Sequence, residues 1–85
     1  MEVKCDKMFP MRNIVGKQVK MARHRFTPRM TQAALAVRLQ LDDWDIDRSG
    51  VAKIELGLRQ VTDIEVVKLA QALNVTASWL LGETK

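Results

Sequence analysis

One cysteine, Cys5, stands alone in a chain of 85 residues. An internal disulfide framework is therefore impossible, and a reducing, cytoplasmic setting is the expectation. Apolar runs are short, and none approaches the roughly 20 residues needed to cross a bilayer. The opening MEVKCDKMFPMRN carries an acid at Glu2 and has no long apolar core, so it does not read as a secretory signal. Histidine is nearly absent too. His24 has no cysteine or acid at a recognisable catalytic spacing and reads as a surface or helix-capping residue. There is no glycine-rich phosphate loop, nucleophile elbow or zinc-ligand spacing. No enzymatic activity, cofactor or metal is expected. Strand-like alternation of useful length and internal repeats are also missing.

What is present is a divided charge. The net charge is +4. Between residues 12 and 38 stand Arg12, Lys17, Lys20, Arg23, Arg25, Arg29 and Arg38, with no acid among them. Between residues 42 and 47 stand Asp42, Asp43, Asp45 and Asp47, with no base. A basic N-terminal half suits contact with phosphate, though a solvated helix surface would look the same by charge alone.

The apolar spacing predicts helices throughout. Residues 1–11 show no period and read as an irregular arm, and residues 12–85 read as one domain. From Asn13, a plausible N-cap, Ile14, Val15, Val19, Ala22 and Phe26 form a stripe. This helix should end before Thr27-Pro28, because the residue before proline avoids the α region. Thr31 caps a second helix that carries Leu35 and Leu39 inward. Residues 40–47 read as a loop. Asp47 caps a third helix, with Val51, Ile54 and Leu58 inward and Arg48, Ser49, Ala52, Lys53 and Leu56 on the other face. That helix is expected to run to about Leu56 and stop at Gly57. Gly50 inside it costs about 1 kcal/mol against alanine, which points either to close approach of another surface or to a permissive first turn. Thr62 and Glu65 make a capping box for a fourth helix, with Val66, Leu69, Ala70 and Leu73 inward and Asn74 at its end. Thr76 caps a last short helix, Ala77 to Leu81. Trp79, Leu80 and Leu81 are too apolar for a free tail and should close the core or meet a second copy.

Two charged features need weighing. The alternation Asp43-Trp44-Asp45-Ile46-Asp47 resembles the opening of a calcium-binding loop. The sixth, eighth and twelfth positions are Arg48, Gly50 and Ile54, where such a loop needs Gly, a branched apolar residue and a bidentate Glu. A solvated loop ending in an N-cap is the preferred reading. Its acids would repel phosphate, so the loop should either stay clear of a nucleic-acid backbone or dock a basic patch on a protein partner. Arg23, one turn beyond Val19, and Glu55, at the edge of the third helix's core face, are expected to meet as a buried bidentate pair.

Taken together, Thr31-Gln32, Leu35-Ala36, Leu39, Val51, Ile54-Glu55, Gly57, Leu69-Ala70, Ala72-Leu73, Val75 and Trp79-Leu80-Leu81-Gly82 carry a joint pattern. It resembles the lambda-repressor-like, XRE-type helix-turn-helix family over residues 14–82. The resemblance implies an all-α, compact five-helix DNA-binding domain whose third helix enters the major groove. It implies base reading by Arg48, Ser49 and Lys53. It places Gln32, Gly50 and Arg59 at the DNA backbone, and Arg23 with Glu55 in a structural ion pair. The implied function is sequence-specific transcription regulation, as a repressor, by a homodimer on double-stranded DNA. The alternative on the same fold is a protein-interaction module, an antitoxin or adaptor with weak DNA binding. The chain departs from the family pattern in two places. The connection between helices two and three has about five extra residues, 42–46, which are expected to loop out and leave helix three docked. Residues 27–30 are also longer than the usual helix 1–2 connection.

Overall fold

A computed structural model describes residues 12–82. The N-terminal arm with Cys5 lies outside the described residues. Five helices follow one another: α1 (Gly16–His24), α2 (Gln32–Leu41), α3 (Arg48–Glu55), α4 (Asp63–Leu73) and α5 (Ala77–Leu80). Among the described residues there is no strand.

Side-chain caps fix where four of the helices begin. Thr31, Asp47, Thr62 and Thr76 each accept a hydrogen bond from the backbone N–H three residues on. Each satisfies a donor that the first helical turn cannot. At α4 the box closes in both directions, Thr62 N–H donating to Glu65 Oε1 at 3.1 Å. Helix α1 starts later than the sequence suggests. Asn13 Oδ1 accepts from Val15 and Gly16 N–H, so Asn13 turns the chain into a helix that begins only at Gly16. Ile14 therefore lies in the turn and is exposed, off the expected stripe.

Three helices end alike. Asp43, Gly57 and Asn74 are left-handed, with φ of 63°, 77° and 60°. The next residue in each case, Trp44, Leu58 and Val75, donates to a carbonyl five residues back, on Leu39, Lys53 and Ala70. This is the Schellman arrangement, which satisfies carbonyls left over at a helix end. Helix α2 consequently runs through Gln40 and Leu41, which the sequence assigns to the loop. Helix α3 stops at Glu55, one residue early, and Leu58 falls beyond the turn, exposed rather than inward. The last helix likewise stops at Leu80, leaving Leu81 exposed.

One core holds the helices together. Val15, Val19, Leu35, Leu39, Val51, Ile54, Leu69, Leu73 and Leu80 are its fully buried large side chains. Each such burial contributes roughly 1.5–3 kcal/mol. Helix α2 packs on α3 and α4, α1 packs on α3, α4 and α5, and α4 packs on α5. Helices α2 and α4 also bond each other's ends. Arg38 Nη1 donates to Ala72 O at 3.0 Å, and Lys68 Nζ donates to Asp42 O at 2.6 Å. A cation is favoured at a helix C-terminus, where the dipole is negative.

The connection between α2 and α3 does not loop out. Trp44 and Ile46 are buried in the core, and the residues between and beside them, Asp43, Asp45 and Asp47, are exposed. The segment is held by Trp44 N–H on Leu39 O and by Gln40 Nε2 on Ile46 O at 2.8 Å. The expectation failed because the acids dominate the composition of a stretch whose alternate residues are apolar.

Candidate nucleic-acid interface

At 100° per residue, Arg48, Ser49, Ala52, Lys53 and Leu56 fall within about 140° of one face of α3. The opposite side carries Val51 and Ile54, both fully buried. That burial leaves Arg48, Ser49 and Lys53 exposed and Ala52 half-exposed. Leu56, just past the helix, is exposed as well. Neither Arg48 nor Lys53 enters an ion pair among the described residues. Both guanidinium and ammonium are therefore available to an outside partner.

Gly50 sits on a different side. A Cβ there would come within 2.6 Å of Ile46 Cγ1. The close surface that glycine admits is the chain's own connection. Asp47 Oδ1 accepts from Gly50 N–H at 2.9 Å in the same turn. The first turn of α3 is thus gripped from outside by its cap and from beneath by Ile46. Ile46 at N′ and Val51 at N4 hold the positions of a hydrophobic staple, and both are buried. That spacing is a signal the sequence offers and composition alone conceals.

Gln32 opens α2 and is half-buried. Its Nε2 donates to Glu55 Oε1 at 3.0 Å. Glu55 in turn accepts from Arg23 twice, Nε to Oε2 at 2.6 Å and Nη2 to Oε1 at 2.9 Å. The paired side chains are only 7% and 4% exposed. Arg23 Nη1 donates to Met30 O at 2.8 Å. This polar knot joins the end of α1, the start of α2 and the end of α3. Removing one partner of such a buried pair costs roughly 3–5 kcal/mol.

Arg59 is half-buried. Its guanidinium lies 5.4 Å from the Trp44 ring centroid and reaches Gln60 O and Glu65 Oε1. Arg25 similarly covers Trp79, and Arg38 covers Phe26. Of the seven cations between residues 12 and 38, Arg23, Arg25 and Arg38 are thus engaged inside the molecule. Arg12, Lys17, Lys20 and Arg29 are exposed and in no ion pair among the described residues. The basic field acts on exposed His24, whose imidazole is held below its ordinary value by desolvation and then by Arg29, Arg23 and Lys20. Among the described residues no group of three or more potential ligands is placed to hold a metal.

Gly16, which the sequence does not single out, and a second role of Asn13 support this surface. Gly16 is buried, and a Cβ on it would lie 2.8 Å from Glu55 O and closer still to Ile54 O. Asn13 Nδ2 donates to Ile54 O at 3.1 Å and to Arg59 O at 2.8 Å. Both roles depend on partners far along the chain, so no local pattern announces them.

A model of the helix-turn-helix family matches residues 29–80, which span α2 through α5. The chain belongs to this family, the lambda-repressor-like, XRE-type DNA-binding regulators. The helix-turn-helix proper is α2, the connection and α3. Among solved structures, the chain is similar to the restriction-modification controller protein C.AhdI from Aeromonas hydrophila. Identity is 29% over 78% of this chain and 86% of that one, with a TM-score of 0.64. It shares its fold with the P22 c2 repressor, solved in complex with a synthetic operator. There identity is 17%, coverage 85% and 98%, and TM-score 0.67. It also shares the fold of a hypothetical transcription factor, NHTF, from Neisseria, at 21% identity, 94% and 88% coverage and TM-score 0.67. None of the curated proteins matches it in sequence.

Proposed function

We propose that this helix-turn-helix protein is a sequence-specific transcriptional repressor that occupies a promoter as a homodimer. Helix α3 enters the major groove, with Arg48, Ser49 and Lys53 reading base edges. Gln32 and Arg59 face the DNA backbone. The observation that carries the reading is the outer face of α3. It offers a fork, a hydroxyl and an ammonium in one arc, uncommitted to any of the described residues, on a helix fixed by a buried opposite face. Arginine and lysine suit guanine O6 and N7, and small residues beside them let the helix approach the bases. The P22 c2 repressor, which shares the fold, was solved with an operator, and C.AhdI is named a controller protein.

Selection of bound duplexes from a random pool tests the reading. It should return a two-fold-related site whose half-site spacing fits two protomers. Against that site, Arg48→Ala should cost about 1–3 kcal/mol and relax preference at one base pair. Equal weakening on every duplex would remove Arg48 from base reading. Weak binding to all duplexes alike would favour a protein-interaction module instead.

A further inference from the structure

The buried Arg23–Glu55 pair has more partners than an ion pair needs. Glu55 Oε1 receives a second donor, the side-chain amide of Gln32. Gln32 is the first residue of α2 and is half-open to solvent. Through Arg23 Nη1 the same pair also holds the carbonyl of Met30, two residues before that helix starts. The pair thus touches the start of α2 twice, Arg23 on the Met30 backbone just before it and Glu55 on the Gln32 side chain within it.

We propose that Glu55 is a positioning residue for DNA contact, presetting the Gln32 amide at the backbone-facing start of α2. The inference rests on the DNA-binding reading above. A carboxylate only accepts hydrogen bonds, so it decides which end of the glutamine amide turns inward. The amide nitrogen carries two hydrogens, and Glu55 takes one. The second remains for a phosphate oxygen arriving from solvent. A glutamine with no such anchor would have to give up its rotamer freedom on binding, and that loss weakens affinity. Arg23 holds the carboxylate in place with two hydrogen bonds, so the ion pair serves the interface as well as the fold. It also couples the two helices of the motif, since the acid belongs to the base-reading helix and the amide to the backbone-contacting one.

The test uses the selected duplex and three variants, each measured well below its own melting midpoint. Gln32→Ala leaves the ion pair whole and should weaken binding about tenfold with little change in melting temperature, the scale of one charge-assisted hydrogen bond. Glu55→Asp keeps a charge for Arg23 but retracts it from the amide, and should lose a smaller factor, since the amide remains but is no longer preset. The double variant should lose no more than Gln32→Ala alone, because Glu55 acts only through that amide. Thr62→Ala, which breaks the cap of α4 away from this contact, serves as a control that lowers stability, and its affinity when folded should stay near that of the unaltered protein. Independently of any variant, the Gln32 side-chain amide should show one hydrogen-bonded and one free hydrogen by nuclear magnetic resonance in the absence of DNA. The proposal is overturned if folded Glu55→Asp binds as tightly as the unaltered protein, if the two losses multiply, or if both amide hydrogens are free. Failure of the unaltered protein to prefer any duplex would overturn the DNA-binding reading itself, and is seen before any variant is made.

Discussion

Single residues in this molecule are constrained mostly by what lies across from them. Gly16 is the sharpest case. Its α-carbon meets the carbonyls that end α3, and a methyl group there has no flexible neighbour to push aside. Gly16→Ala should therefore destabilise by about 1–3 kcal/mol, read as a lower urea midpoint at unchanged slope. An alanine in an ordinary helical site would stabilise instead, so the sign is informative. The caps behave oppositely, as local chemistry. Thr62→Ala breaks a two-way box and should cost about 1 kcal/mol by the same measurement. That difference explains what could be read beforehand. Thr31, Asp47, Thr62 and Thr76 announce themselves within four residues of chain. Gly16 and the second role of Asn13 do not, because their partners lie near residues 54–59.

Among the elements, the connection from α2 to α3 is where sequence and structure part. Asp43, Asp45 and Asp47 suggest a solvated excursion, yet Trp44 and Ile46 reach the core from between them. A left-handed Asp43 is what allows the turn, and aspartate gives a weaker signal for that conformation than the glycine at position 57. Helix phase and core face were legible at Leu35, Leu39, Val51 and Ile54, since a 3.6-residue period leaves few ways to bury them. Boundaries failed by one to three residues at the start of α1 and at helix C-termini, as at Ile14 and Leu58. The connection makes a clear prediction. Trp44→Ala should cost roughly 3–5 kcal/mol in a urea titration, as for a core aromatic. Asp45→Ala should stay within about 0.5 kcal/mol of the unaltered protein. Equal, small effects at both positions would mean that the segment is a free loop after all.

For the molecule as a whole, charge divides into cations the fold consumes and cations it leaves over. Arg38 is committed to the end of α4 and to Phe26, whereas Lys20 and Arg29 pair with nothing among the described residues. Net charge alone cannot make that distinction, and neither can a count of basic residues. Plotting affinity for DNA against salt separates the two sets. Neutralising a leftover cation that touches phosphate should lower the slope by about one, while Arg38→Gln should lower the melting temperature and leave the slope unchanged. One further consequence concerns the order in which the chain can assemble. Among the described residues, the polar contacts that seat α1 and the turn before it against α3 and the turn after it span a long stretch of sequence, 32 residues from Arg23 to Glu55 and 41 and 46 from Asn13 to Ile54 and Arg59. During synthesis, which proceeds from the N-terminus, the first helix has none of these partners until residue 54 has left the ribosome, and not all of them until residue 59 has. Helix α1 must therefore wait for α3, made well after it, before it can settle.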